Sequence, residues 1–271
     1  MQEFYQGTDD LADPNPPPRV MMSAHTLWRA NRRSPFPVKK WIMDSGAFTQ
    51  IASPPHKFKM DVHEYADMIK RFSNCGELEC AITQDYMCEP NVREDTNRTI
   101  ARNQRDSVAR YFELVEAVRS IGCNTPIMPV LQGWEPEDYT AHLDMYCREW
   151  RTRHYDLARR FDRRIRPIEI PERFGLGTMC KRNGNPSKVL EVLEEVTPYL
   201  KGFKVHALGL KKTACAHPKV ASMIYSSDSQ ANHFHDMMNG KARTREARRA
   251  SNWKYYKDMM GIINAHSTGT N

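Results

Sequence analysis

The sequence lacks any apolar run long enough to cross a membrane. No window of its 271 residues approaches the roughly 20 apolar residues that a bilayer-spanning helix needs. Its first residues are polar and acidic, without the basic and apolar regions of a secretory signal. We therefore expect a protein that does not enter a membrane and acts in the cytoplasm, or in the host cytoplasm if its source is viral.

Cysteine is sparse and irregularly placed. The seven cysteines are odd in number and lack the spacing of a small disulfide-bonded scaffold, so we expect reduced thiols. The sequence also shows no internal repeat, which excludes solenoids and propellers. Its length and its apolar fraction of 40% instead suit one large α/β domain or two small ones.

Positive charge exceeds negative charge and is concentrated in two segments. The chain has 40 Lys and Arg against 33 Asp and Glu, which favours a polyanionic partner. One basic segment spans residues 148–166, and the other spans residues 241–257 and also contains aromatic residues. This mixture suits phosphates and bases, and the alternative is a solvated helix whose aromatics dock on the protein. The predicted nucleic-acid contacts are Arg159, Arg160, Arg163, Arg164, Arg243, Arg245, Arg248, Arg249 and Lys254.

Apolar runs alternate with helical periodicity along most of the chain. Residues 39–44 have the pattern of a strand, for example, and the apolar residues of 62–72 then recur at helical spacing. Repeated strand-then-helix units require parallel strands with right-handed crossovers. The sequence therefore predicts an α/β fold, a TIM-like (β/α)8 barrel that is either complete or modified. The predicted strands are residues 19–23, 39–44, 78–85, 126–132, 173–177, 203–208 and 221–226, with 165–170 as a candidate for the eighth.

The same sequence pattern gives the expected boundaries of the barrel. Residues 15–18 are rich in proline, so residues 1–18 are expected to form a flexible N-terminal segment. The barrel is expected to span residues 19–240. Residues 241–271 are expected to form a basic C-terminal helix and tail that pack on it.

Two aspartates follow short apolar runs and are the first candidates for chemistry. Asp44 lies in the segment WIMDSGAF, and Asp228 lies in the segment YSSDSQAN. In a parallel barrel, acids at the C-terminal rim are typical of catalysis, whereas acids at the opposite rim are usually structural. The alternatives are that Asp44 caps a turn and that Asp228 caps the helix that starts near Gln230.

Other strand ends also become polar or glycine-rich, as in the segments TQD, LQG, GLG and HALG. Glycine lets the backbone approach a flat ligand closely, and Gln, Asp and backbone amides can bind the edge of a heterocycle. If the barrel is correct, all these ends meet at one mouth. The sequence therefore predicts a planar, polar ligand.

These motifs resemble those of the tRNA-guanine transglycosylase superfamily, and within it the DpdA-like DNA-guanine transglycosylases of phages and bacteria. Residues 44–48 (DSGAF) look like the family's Asp-Ser-Gly-Gly-Phe element. Residues 130–134 (VLQGW) look like its Gln-Gly strand end, and residues 174–178 (FGLGT) look like its glycine-rich strand. Residues 205–210 (VHALGL), followed by residues 226–230 (SSDSQ), look more like the DNA-acting branch than the tRNA-acting branch. In motif order, the resemblance covers most of the barrel.

The resemblance implies roles for individual residues. Asp228 would be the nucleophile that attacks the anomeric carbon of the sugar as guanine departs, and Asp44 would be the acid and base. Exchange of one base for another with retained configuration needs two inversions through a covalent intermediate, which agrees with this division. The residues predicted to bind the substrate are Ser45, Gly46, Phe48, Asp85, Gln132, Gly133, Gly175, Gly177 and His206.

Structural alternatives exist for several of these residues. Asp85 suits a loop or a helix cap as well as base recognition, and Gln132 could satisfy backbone groups at a strand end. From its own sequence context, Phe48 is more often a core residue than a stacking platform. His206 is more often a structural histidine with satisfied hydrogen bonds.

The zinc motif of the tRNA-acting relatives, Cys-x-Cys-x-x-Cys with a later His, is absent from the sequence. Cys215, His217, His233 and His235 would be the nearest substitute set. Buried thiols and surface imidazoles explain the same residues, so no metal site is predicted. The missing motif also weakens the case for tRNA as substrate.

The sequence thus leads to one main hypothesis and two alternatives. The main one is exchange of guanine in DNA for a free 7-deazaguanine base, without a redox or nucleotide cofactor. The target base would have to be flipped out or unpaired, because a stacked guanine is inaccessible. One alternative is the same exchange on tRNA or another RNA, and the other is a catalytically silent nucleic-acid-binding barrel.

Overall fold

The computed structural model of the protein describes residues 1–159, 170–182, 185–238 and 244–268. In these ranges, nine parallel strands form a nearly closed barrel surrounded by helices, which confirms the predicted TIM-like α/β fold. The strands are β1 (Glu3–Gly7), β2 (Arg19–Ser23), β3 (Lys40–Asp44), β4 (Glu77–Ile82), β5 (Ile127–Met128), β6 (Val130–Leu131), β7 (Arg173–Leu176), β8 (Lys204–Ala207) and β9 (Ser226–Ser229). The sheet order is β5-β4-β3-β2-β1-β9-β8-β7-β6.

The helices follow the strands, as the alternating pattern predicts. They are α1 (Ala24–Arg29), α2 (Ala47–Ile51), α3 (Val62–Phe72), α4 (Pro90–Thr96), α5 (Ile100–Ser120), α6 (Pro136–Arg159), α7 (Pro186–Val196), α8 (Lys212–Cys215), α9 (Pro218–Met223), α10 (Ala231–Met238) and α11 (Arg245–Thr268). Two short 3₁₀ turns occur at Met179–Lys181 and Thr197–Leu200. In α5, the apolar stripe formed by every third or fourth residue is buried against the core.

The barrel closes through a single proline. β5 and β6 are the two ends of the sheet order, yet only Pro129 separates them in the chain. Pro129 has no N–H to donate, but its carbonyl accepts a 2.9 Å hydrogen bond from the amide of Gly175. Residues 127–131 therefore bond to β4 on one side and to β7 on the other. Counted together, β5 and β6 occupy one of eight strand positions.

Charged residues fill the N-terminal end of the barrel interior. Arg173 donates to Glu3 at 3.2 Å and to Glu79 at 3.3 Å. The hydroxyl oxygen of Tyr5 lies 2.8 Å from Glu3 and 2.6 Å from Glu79, within hydrogen-bond distance of the same two carboxylates. Buried charges are tolerated when they are paired and hydrogen-bonded in this way. Acids at this end of a barrel are structural, in contrast to those at the opposite end.

The N-terminal segment differs from the sequence-based prediction. Residues 1–18 were expected to be flexible, but Glu3–Gly7 is a buried strand that pairs with β2 and β9. The segment has no apolar periodicity because Glu3 and Gln6 are buried polar residues with partners inside the fold. β1 therefore supplies the eighth strand position. The proposed alternative, residues 165–170, falls almost entirely outside the described residues.

One predicted strand is also shifted. Residues 221–226 were expected to form a strand, but Ala221 lies in helix α9 and the strand begins only at Ser226. Pro218 at the first position of α9 favours the start of a helix. The strand itself consists of Ser226–Ser229. Its polar residues conceal it from a search for apolar runs.

Helix α11 packs against β1 and holds the loop after it. The guanidinium of Arg249 donates to Asp10 at 2.7 Å and to the carbonyl of Ala12 at 2.9 Å. The indole N–H of Trp253 donates to the carbonyl of Asn15 at 2.7 Å. These bonds attach the proline-rich loop to the C-terminal helix, so basic and aromatic residues of α11 have a structural role.

The sequence also predicted reduced thiols and no membrane-spanning helix. All seven cysteines are free. No helix in the described part of the chain combines the length and the apolar character that a membrane span requires.

Candidate active site

Asp44 and Asp228 point into the same barrel mouth. Asp44 is the last residue of β3, and Ile42, two positions earlier, belongs to the apolar cluster of the barrel interior. Ser226, two positions before Asp228, bonds to His206, whose ring contacts interior Tyr5. Side chains two apart on a strand face the same way, so both aspartates face inward at the C-terminal end.

Asp228 is held by two hydrogen bonds. Its Oδ1 accepts from the amide of Gly209 at 2.9 Å and lies 3.3 Å from Nε2 of His206. The other ring nitrogen of His206 lies 2.8 Å from the hydroxyl of Ser226. At the start of helix α10, the hydroxyl of Ser229 accepts from the amide of Ala231 at 3.3 Å. The contacts of Asp228 with Gly209 and His206 favour a role in the site over a helix cap.

Asp44 occupies a different environment. Its Oδ2 accepts a 2.9 Å hydrogen bond from the amide of Gly46, so the turn-capping interpretation is correct for one carboxyl oxygen. Burial, together with the negative charge of Asp228, raises the pKa of Asp44 to about 6. Hydrogen bonds from Gly46, Ser23 and Ser45 act in the opposite direction. Asp44 is thus suited to exchange a proton near neutral pH.

A buried hydrogen-bonded chain lines the other side of the mouth. The amide of Gln132 donates to Asp85, and its carbonyl oxygen accepts from the hydroxyl of Thr178 at 2.8 Å. Burial raises the pKa of Asp85 to about 7, and the charge of Asp44 contributes, while the bond from Gln132 lowers it. Gln132 therefore does more than satisfy backbone at a strand end, since it links two side chains of the site.

Gly177 makes room for this chain. A Cβ at Gly177 would lie 2.2 Å from Nε2 of Gln132. Gly177→Ala should therefore displace Gln132, break its bonds to Asp85 and Thr178, and lower the activity of the site by about tenfold or more. The matched control is Gly261→Ala in α11, where an added Cβ would have no neighbouring atom within 4 Å. Steady-state activity assays on both variants measure the effect, and equal activities would contradict it.

The raised pKa of Asp85 predicts a stability effect with a defined sign. Between the ordinary pKa of 3.8 and about 7, the unfolded chain loses the proton and the folded chain keeps it, so stability falls as pH rises. Above pH 7 the penalty is complete. Asp85→Asn should therefore stabilise the fold at pH 8, by about 2 kcal/mol or more.

At pH 4 the same substitution should have a much smaller effect, because the folded state keeps the proton of Asp85 and the unfolded state, with its ordinary pKa of 3.8, is only about half ionised. Urea denaturation at both pH values measures the difference. The control is Asp67→Asn on the exposed face of α3, which should show no such pH dependence. A destabilised Asp85→Asn at pH 8 would contradict the assignment.

Three of the predicted substrate-binding residues lie close to Asp44. The ring of Phe48 is 49% exposed, so the expectation of a core residue from its context is wrong. Ser45 is fully buried beside Asp44, and its hydroxyl has no hydrogen-bond partner in the described residues. Gly46 has a φ of 76°, and a Cβ there would meet Ser23 and His25. These residues shape the mouth next to Asp44.

Three other predicted substrate-binding residues lie below the mouth or behind it. Gly175 faces Val130, one layer below Gly177. A Cβ at Gly133 would meet Asp138 and the ring of Tyr139 rather than open space. His206 is fully buried and contacts Asp228, so the structure gives it a positioning role, and direct substrate binding through its side chain does not fit.

Sequence reasoning missed Thr178, Glu89 and Arg182 as neighbours of the site. Thr178 adopts a left-handed conformation with φ 63°, which is uncommon for this residue type. Glu89 and Arg182 are buried and each has side-chain atoms without a hydrogen-bond partner among the described residues. The guanidinium of Arg182 lies 5.0 Å from the ring centre of Trp134. These features appear only in the three-dimensional structure, and no spacing in the sequence signals them.

The predicted nucleic-acid contacts are described only in part. Arg249 pairs with Asp10, and the 79% exposed Lys254 pairs with Asp258 at 3.0 Å. Arg245 is exposed and Arg248 is half-buried on the first turn of α11. The side chain of Arg159 and all of Arg160, Arg163, Arg164 and Arg243 lie outside the described residues. Contact of these residues with phosphate stays a prediction.

The candidate metal ligands from the sequence are Cys215, His217, His233 and His235. In the described ranges, no three or more His, Cys, Asp or Glu side chains are grouped so as to hold a metal ion. Cys215 is fully buried in α8, and His235 pairs weakly with Asp236 at 3.7 Å.

One comparison with known proteins decides the family. A family model described as "DpdA: DeoxyPurine in DNA protein A" matches residues 2–256, nearly the whole chain. The chain belongs to the DpdA family. No curated protein matches it. Membership in the DpdA family gives this enzyme a role in DNA modification as a DNA-guanine transglycosylase, with DNA as its substrate.

Proposed function

We propose that the protein exchanges guanine in DNA for a 7-deazaguanine base through a covalent intermediate on Asp228. The observation that carries the proposal is the pair of inward-facing aspartates with different environments at one mouth. Asp228 is fixed by Gly209 and His206, as a nucleophile must be. The pKa of Asp44 is raised to about 6, as suits an acid that later acts as a base.

The proposed reaction proceeds in two displacements. A carboxylate oxygen of Asp228 attacks C1′ of the deoxyribose, the C1′–N9 bond breaks, and guanine takes its electron pair and the proton of Asp44. After guanine leaves, the incoming base gives a proton to Asp44 and its nitrogen attacks C1′, which releases Asp228. Two inversions retain the configuration. The exchange is redox-neutral, and we propose that it needs no redox or nucleotide cofactor.

Base recognition would use the buried chain opposite Asp44. Asp85, Gln132 and the backbone of Gly133 would bind the polar edge of the purine, because carboxylate, amide and backbone groups complement its donors and acceptors. The exposed ring of Phe48 would stack on its face. We propose that Asp85 and Gln132 exchange part of their mutual hydrogen bonding for bonds to the base when it binds.

The polymer must deliver an unpaired guanine to this mouth, since a stacked base cannot reach it. We propose that α11 contributes phosphate contacts through Arg245, Arg248 and Lys254. Contacts of this kind make affinity fall steeply with salt. Because the substrate is DNA and the free base is a small molecule, we also propose that the enzyme acts where both occur, in the cytoplasm of its cell or host.

The test first incubates the protein with labelled guanine and either DNA or tRNA, side by side, and measures the label in each polymer. Unlabelled 7-deazaguanine bases are then added, and the nucleosides are identified by mass spectrometry. The proposal predicts label in DNA, its replacement by the deazaguanine, and none in tRNA. Label in tRNA alone would show RNA exchange instead. Binding to DNA without label in either polymer would show a catalytically silent barrel.

A further inference from the structure

Two exposed aromatic side chains flank the mouth of the barrel. Large apolar side chains with high exposure in the described residues are Trp28, Phe48, Ile170 and Tyr199. Trp28 is 43% exposed on α1, and Phe48 is 49% exposed on α2. These helices directly follow β2 and β3, which are neighbours in the sheet. Both aromatic residues therefore lie at the C-terminal rim, beside Asp44.

Trp28 is fixed to the catalytic loop through His25. The two rings are stacked, with centroids 5.7 Å apart and planes 23° apart. A Cβ on Gly46 would lie 2.8 Å from Cβ of His25, so His25 touches the loop that follows Asp44. Ser23 caps α1 by accepting from the amide of His25 and also bonds to Asp44. Trp28 thus lies one helical turn beyond a residue in contact with the catalytic loop.

Two unpaired cations lie near this stack. Arg29 and Lys59 are exposed, and neither has an ion pair within the described ranges. The positive charges of Arg29 and Lys59, after burial, lower the pKa of His25, which places both cations near the stack. On the other side, Nζ of Lys181 lies 5.1 Å from the ring centre of Phe48. A single exposed aromatic is ordinary on a protein surface, but aromatics alternating with free cations are typical of sites for single-stranded nucleic acid.

We propose that the His25–Trp28 stack binds the base next to the exchanged guanine in an unpaired DNA strand. Arg29 and Lys59 contact the phosphates of the same strand. This inference rests on the proposed function, in which guanine itself occupies the mouth beside Phe48. Stacking accepts any base, so the contact holds the strand without demanding a particular neighbour. This contact is additional to the polymer contacts predicted for residues 148–166 and 241–257.

The first test measures binding of a fluorescein-labelled single-stranded oligonucleotide with one guanine, by fluorescence anisotropy. Trp28→Ala should weaken binding about tenfold or more, as loss of one stacked base does, and Trp28→Phe should retain most of the affinity. The control is Tyr199→Ala, which removes a ring that is 66% exposed in the turn before β8, at the opposite end of the barrel. Equal affinity of Trp28→Ala and wild type would overturn the proposal.

The second test measures how the affinity for the same oligonucleotide depends on salt. Each phosphate contact on a single strand contributes about 0.7 to the slope of log K against log salt. The double variant Arg29→Ala/Lys59→Ala should therefore lower the slope by about 1.4. The matched control, Lys39→Ala/Lys201→Ala, removes two exposed lysines from the opposite end and should leave the slope unchanged. An unchanged slope in the first variant would overturn the phosphate contacts.

Guanine exchange by the wild type separates failure of this inference from failure of the proposed function. If the wild type incorporates labelled guanine and Trp28→Ala binds and reacts as well as wild type, only the inference is wrong. If the wild type incorporates no label, the proposed function is wrong, and the two binding tests still decide whether the rim holds single-stranded DNA. Thermal melting of each variant establishes that it is folded.

Discussion

Asp228→Asn should abolish base exchange and leave DNA binding nearly unchanged. The substitution keeps the size of the side chain and an oxygen that can accept from Gly209, which bonds to Oδ1 at 2.9 Å. It removes the negative charge that attacks C1′. Loss of a catalytic nucleophile lowers turnover by about 10⁴-fold or more, so labelled guanine should not enter DNA at a measurable rate.

The measurement pairs the exchange assay with oligonucleotide binding by anisotropy. Asp67→Asn makes the same chemical change on the exposed face of α3 and should behave as wild type in both assays. Exchange that continues in Asp228→Asn would remove this residue from the mechanism. Loss of binding together with exchange would show that Asp228 acts on affinity rather than on the reaction.

Asp44→Asn should slow exchange by about 10² to 10⁴-fold, the usual contribution of a general acid and base. An amide cannot give its proton to departing guanine or accept one from the incoming base. In the wild type, the pKa of Asp44 is raised to about 6, so kcat/KM should depend on pH. The first displacement requires the protonated carboxyl, so kcat/KM should fall about tenfold per pH unit above pH 6.

That decline should be absent from the residual activity of Asp44→Asn, because the group that titrates has been removed. Initial rates between pH 5 and 9, with DNA below saturation, measure both profiles. Parallel profiles in the two proteins would assign the titration to another residue. Wild-type turnover in Asp44→Asn would show that Asp44 only caps the turn through Gly46.

The barrel was predictable because most of its strands are apolar and its helices are amphipathic. β3 and α3 show this clearly, since the apolar run of Lys40–Asp44 is followed by a helix with strong 3.6-residue periodicity. β1 was missed because Glu3 and Gln6 are buried by partners that come from a distant strand and a distant helix. Long-range pairing of this kind leaves no local pattern in the sequence.

The site was predictable where chemistry and strand position coincide. Asp44 and Asp228 both lie at strand ends and face one mouth, and Asp85 and Gln132, which were both predicted at this mouth, bond to each other. Backbone geometry was not predictable, which is why Thr178 with its left-handed conformation was overlooked. Trp28 was overlooked for a related reason, because its position at the rim depends on the start of α1.

The most direct test of the account is a search for the covalent DNA–protein adduct. The wild type is incubated with a guanine-containing oligonucleotide and quenched with acid, and the adduct is mapped by peptide mass spectrometry. We predict deoxyribose of the oligonucleotide linked to the carboxylate of Asp228, with none in Asp228→Asn. An adduct on Asp44 or another residue, or active exchange with no adduct at any time point, would contradict the central claim.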